Sequence, residues 1–177
     1  MTAREVVAFW RDAGAGKWFN GGAGFDAECR TRFLDAHFEA ARRGLDGWMG
    51  DAEGALALVL LLDQIPRNVF RGSAHAFATD GLAREVARNA IAAGFDRQVD
   101  PALRLFFYMP FEHSEDMADQ DRAVQLFTAM GDAGYLDYAR RHRDAIARFG
   151  RFPHRNAALG RASTPEEQAW LKAGGGF

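Results

Sequence analysis

The stretch ALALVLLL, residues 55–62, constrains this chain more than any other. A helix with no polar face has to be covered on every side. The run is nevertheless too short for a bilayer, which takes about 20 apolar residues. Asp51 stands ahead of it as a helix cap and Pro66 follows as a stop. The segment therefore reads as a central helix around which the rest of the chain packs.

Helix signals recur on both sides of it, and strand alternation is absent. Thr2 with Glu5 forms a capping box ahead of Val6, Val7, Phe9 and Trp10. The glycine-rich GAGKWFNGGAG, residues 14–24, reads as a loop. Asp26 then caps a long helix carrying Cys29, Phe33, Ala36, Ala40 and Ala41, stopped by Gly44. Thr79 or Asp80 opens another, with Leu82, Val86 and Ile91 as its apolar stripe and Gly94 at its end. Asp100-Pro101 starts a helix that Pro110 interrupts. Ser114 with Glu115 begins the next, through Met130, and Tyr135 to Phe149 gives one more. Thr164, Pro165 and Glu167 combine cap, first-turn proline and capping-box acid before Trp170. The expectation is an all-α fold: one domain over residues 1–177, with seven to eight helices packed as antiparallel pairs.

A net charge of −2 gives no electrostatic reason to expect nucleic acid or an anionic membrane as partner. Cys29 is the only cysteine, which rules out an intrachain disulfide and a Cys-rich zinc site; it reads as a small buried helix residue. The polar first residues carry no secretion signal, so a cytoplasmic protein is expected. The GAGK at residues 14–17 lacks the earlier glycine and following hydroxyl of a phosphate loop. No Glu-x-x-His, His-Glu-x-x-His or Gly-x-Ser-x-Gly is present, and no cofactor or metal is expected.

Chemistry has to come from three polar clusters. DQIPRNVFR (63–71) follows the central helix, PFEHSED (110–116) is acidic, and FGRFPHRNAALGR (149–161) is basic. The first and third share an order of proline, arginine, asparagine, apolar residue and arginine, as two similar pieces or by chance. Two readings stand side by side. In one, Glu112 and Glu115 pair with Arg67, Arg151 or Arg155 and tie helix ends together, while Asn68 and Asn156 satisfy turn backbone. In the other, the clusters converge on a small anionic ligand. Arg67, Asn68, Arg71, Glu115, Arg151, Arg155 and Asn156 would hold it, and His113, His154 and Glu112 would handle protons in acid–base or hydrolytic chemistry. His142 adds a third imidazole nearby, and Phe106, Phe107, Tyr108, Phe111, Phe149 and Phe152 supply apolar walls. His37 and His75 read as ordinary helix-surface or cap residues.

LLLDQIPRNVFRG, AFATD, FFYMPFEHSED, QDRAVQLF and FGRFPHRNAALGRASTPEEQAWL together resemble the bacterial domain-of-unknown-function family 924. The resemblance runs from KWF near the start to Trp170. It implies a helical fold similar to tetratricopeptide-type helix pairs and says little about activity. Such a fold offers a second functional class, a small scaffold whose groove binds a peptide or protein partner.

Overall fold

The computed structural model describes residues Met1–Phe177, and every regular element is helical. The chain folds as two compact units, Met1–Arg71 with His75–Pro110, and Gly72–Ala74 with Phe111–Phe177. No helix is long and apolar enough to cross a membrane.

The first unit holds α1 (Ala3–Ala13), α2 (Ala15–Asn20), α3 (Gly22–Ala41), α4 (Ala52–Val59), α5 (Ile65–Val69) and α6 (Asp80–Ala92). Thr2 and Glu5 form the expected capping box at α1. Asp51 caps α4, whose residues Gly54 to Val59 are all buried. Helices α1 and α6 pack against it, as a helix without a polar face requires.

Local rules fail at four places in this unit. The glycine-rich stretch folds mostly as helix α2 and the start of α3. Burial of Trp18 overrides the glycine signal: its Nε1 donates to the Trp10 carbonyl at 2.6 Å, and its ring meets Phe106 edge-on at 5.0 Å. Gly21 belongs there because a Cβ would lie 2.5 Å from the Phe25 ring. Asp26 therefore sits inside α3 rather than capping it, and Arg43, with φ 66°, takes the left-handed turn expected of Gly44. On α6 the buried ridge is Ala83, Ala87 and Ala90, with Leu82, Val86 and Ile91 not aligned on it. Small side chains let that helix approach its neighbour closely. Pro66, finally, does not stop the central helix. Between α4 and α5 the chain widens into a π turn, Leu60–Gln64, and runs on to Val69.

Helix α7 (Leu105–Glu112) also runs past its proline, Pro110, and ends in the second unit. Asp100 caps a short 3-10 turn ahead of it, Pro101–Leu103. The second unit then holds α8 (Met117–Met130), α9 (Ala133–Phe149) and α10 (Pro165–Lys172). Asp116, not Ser114, caps α8, and Asp132 caps α9. Thr164 and Glu167 form the expected box at α10. Ala145, Ile146 and Phe152 make a core against which Met117 and Trp170 pack.

Candidate functional site

The cluster at 63–71 is consumed by the π turn. A proline lacks the N–H that would bond the carbonyl four residues back. The Ile65 N–H reaches back five residues to the Leu60 carbonyl, which leaves the Leu61 and Leu62 carbonyls without helical partners. His37 Nδ1 donates to Leu61 at 2.8 Å, and the Thr79 hydroxyl donates to Leu62 at 2.5 Å. Asn68 Nδ2 bonds the Gln64 carbonyl at 3.1 Å. Arg67 donates to the Asp63 carbonyl and grips Asp80 with both nitrogens, at 2.9 and 3.0 Å. Arg71 holds Asp26 in the same two-pronged way. His37 is fully buried, not a surface residue, and its Nε2 faces the His75 Nε2 at 3.5 Å. Burial outweighs the Leu61 hydrogen bond and holds His37 below its ordinary pKa, so its imidazole is neutral.

In the second unit the acidic and basic clusters meet. Glu115 accepts two bonds from Arg161, at 2.7 and 2.9 Å, and one from the Phe152 N–H at 2.7 Å. Burial disfavours its charge, but those bonds prevail and keep the carboxyl below its usual value. Arg151 grips Glu167 at 2.7 and 2.9 Å, and Asn156 donates to the same carboxylate. The Arg151 bonds, with the Thr164 N–H, hold Glu167 at a pKa of about 2. Glu115 thus takes its two-pronged bond from Arg161, while the expected Arg155 and Arg151 also lie close enough to attract its charge. The echo between the clusters is physical: each asparagine Oδ1 accepts from a later arginine that also grips an acid, Arg71 on Asn68 and Arg161 on Asn156.

Three histidines lie beyond this clasp. His142 sits on the buried face of α9 between Ala139 and Ala145. Its Nδ1 lies 2.8 Å from the Tyr138 carbonyl and 2.9 Å from Glu112 Oε1, inside a site where Glu112 is 4% exposed. Two acceptors at Nδ1 place a hydrogen there, so the ring's other nitrogen, Nε2, is the one turned to a ligand. Gln120, fully buried, pins the turn after Glu112 by donating to the carbonyls of Glu112 and Ser114, both at 2.6 Å. His113 lies 6.2 Å from His142 by ring centre, and its carbonyl accepts from Arg155 at 3.0 Å. Arg155 stacks on Phe152, 4.6 Å from its centre. His154, on the 3-10 turn Pro153–Arg155, lies 5.5 Å from Phe152, and its buried Nδ1 has no hydrogen-bond partner. Burial, with the positive charge of Arg155 beside it, pushes His154 down to about 4.

Of the residues expected to form a site, His154 and Arg155 pack against Phe152, and Glu112 and His113 join them through His142, whose ring centre is 5.6 Å from that of Phe152. Glu115, Arg151 and Asn156 form the clasp, and Arg67, Asn68 and Arg71 brace the first unit. Composition alone gives His142 no role of its own, although its spacing from Ala139 and Ile146 marks the buried face of α9. No group of three or more His, Cys, Asp or Glu is placed to hold a metal ion. Cys29 is buried and its thiol is pushed up by burial to about 12, which makes it inert. A cleft of about 700 Å³ in the first unit, lined by Phe9, Phe25, Lys17 and Arg32 among others, holds no histidine.

Among solved structures, the protein of unknown function ATU0120 from Agrobacterium tumefaciens is similar over the whole fold. It shares 55% identity over 97% of each chain, with a TM-score of 0.93. A comparison with curated proteins finds no match. The sequence profile described as "Bacterial protein of unknown function (DUF924)" matches residues 6–175. With these blocks, this helical fold and that match over nearly its entire length, the chain belongs to the DUF924 family.

Proposed function

We propose that the second unit binds a small anionic molecule against His142 and His154 and handles a proton there. The observation that carries this reading is the Glu112–His142 pair: a carboxylate 2.9 Å from Nδ1, nearly enclosed, orients the ring and frees Nε2. A carboxylate that fixes an imidazole's tautomer is the arrangement a general base uses. Glu112 is then a positioning residue and His142 the group facing the ligand. His154, neutral at pH 7, supplies a second nitrogen whose protonation would follow the ligand's charge. Arg155 gives the surroundings a positive field that favours an anion. The chemistry this set suits is acid–base work, such as hydrolysis of a carboxylic or phosphoric ester.

The test is a thermal-shift screen with small carboxylates and phosphates on wild type, His154→Ala and His142→Asn. Asparagine keeps a donor near the Nδ1 position, so Glu112 retains a partner while Nε2 is lost. A ligand at a hundred times its dissociation constant adds about 2.7 kcal/mol, visible as a raised melting temperature. The expected result is an anion that stabilises wild type and loses its effect in both variants. Equal stabilisation of all three proteins would place the binding elsewhere.

A further inference from the structure

The segment after α10 turns back over these histidines. Gly174 donates to the Leu171 carbonyl at 3.1 Å and Gly175 to the Trp170 carbonyl at 2.9 Å. A Cβ on Gly175 would run into the Trp170 ring, so only glycine lets the chain cross there. The crossing delivers the Phe177 ring onto the face of His142, with centres 3.6 Å apart and planes within 17°. Phe152 and His154 meet that ring edge-on, at 6.0 and 5.7 Å and near 82° and 83°, and Trp170 stands 6.3 Å away. The guanidinium of Arg141 lies 5.7 Å from the centre of the same ring. Arg141 is exposed, and its guanidinium also lies 5.3 Å from the centre of the Tyr138 ring.

Every one of these neighbours is matched to a flat π system. A stacked imidazole and a cation favour the electron-rich face of an aromatic ring, and perpendicular rings beside it favour its edge. Phe177 itself remains 43% exposed, so its ring rests in the slot without being locked there. Resting on the reading of this unit as an anion site, the geometry points to an aromatic ligand. The ligand is an aryl ring bearing an acidic group: the ring takes the place of Phe177 on His142, and the acid pairs with Arg141. Phe177 then acts as the chain's own competitor for the slot.

The experiment is calorimetric titration of wild type, Phe177→Ala, Gly175→Val and Arg141→Gln with benzoate and phenyl phosphate, against acetate and inorganic phosphate. The aryl anions are expected to bind more tightly than their non-aromatic counterparts. Phe177→Ala and Gly175→Val should both tighten aryl binding by about two- to tenfold, what one aromatic contact contributes. Arg141→Gln should weaken it by roughly two- to fivefold, the range of an exposed ion pair. Thermal melts of each variant confirm that the unit is folded, and the two routes to removing Phe177 guard against one failing to fold. Aryl and simple anions binding equally, with no response to either Phe177 or Gly175, would overturn the aromatic slot while leaving the anion site standing. No binding of any anion, in wild type or in Phe177→Ala, would overturn both.

Discussion

With no N–H on Pro66, the Leu62 carbonyl depends on the Thr79 hydroxyl 2.5 Å away, in a fully buried helix. Thr79→Val keeps the shape and removes the donor, so an orphaned carbonyl should destabilise the fold by about 1–3 kcal/mol. In a Pro66→Ala background the new N–H can take over that carbonyl, and the cost of Thr79→Val should shrink. Urea denaturation of the four proteins measures the coupling, and an undiminished cost would show that the hydroxyl matters for another reason. Pro66 is legible in the sequence as an irregularity, but local rules read it as a helix end. The partners that let the helix continue, His37 and Thr79, lie on other elements, where no rule of local spacing reaches.

The turn before α8 and the loop after α9 are held by one carboxylate. Glu115 ties the Phe152 N–H and the Arg161 guanidinium together, and both side chains are about three-quarters covered (28% and 24% exposed). A double-mutant cycle of Glu115→Gln and Arg161→Met should return a coupling of about 1–2 kcal/mol, between the values for exposed pairs and for buried charged hydrogen bonds. A coupling near zero would reduce the clasp to a surface ion pair. That an acidic and a basic segment would meet is legible from charge alone. Which arginine takes which acid is not, because Arg151 and Arg161 are separated by a turn whose path decides the pairing. The histidine pocket is half legible: His113, His154 and Glu112 stand out by composition with His142 nearby, whereas the pairing of His142 with Glu112 is set by the packing of the buried face of α9.

Across the molecule, the histidines and the acids dictate how the fold responds to pH. His37 and His154 are neutral when folded and take up protons near pH 6.5 when unfolded. Their lowered values mean that acid favours the unfolded chain, so stability falls as pH drops from 6.5 towards about 4, where His154 charges in the fold. Glu115 and Glu167 act in the next window. Their stabilisation is present above pH 4.5 and is lost below it, for Glu167 down to about 2. The melting temperature should therefore be flat above pH 7 and decline in two stages below it. His154→Gln, which cannot titrate, should lessen the upper stage and leave the lower one; an unchanged profile would contradict the neutral, buried state of His154. The all-helical architecture is legible from capping boxes and helix stops. The division into two compact units is not, because unit membership is set by packing between residues far apart in the chain.

The most direct measurement is long-range ¹H–¹⁵N NMR of the imidazoles at pH 7, free and with acetate or inorganic phosphate added. The predicted result is that the resonances of His142 and His154 move saturably while those of His37 and His75, occupied with the π turn and with each other, stay in place. Unmoved His142 and His154 signals, or shifts confined to His37 and His75, would contradict the assignment of the second unit as the working site.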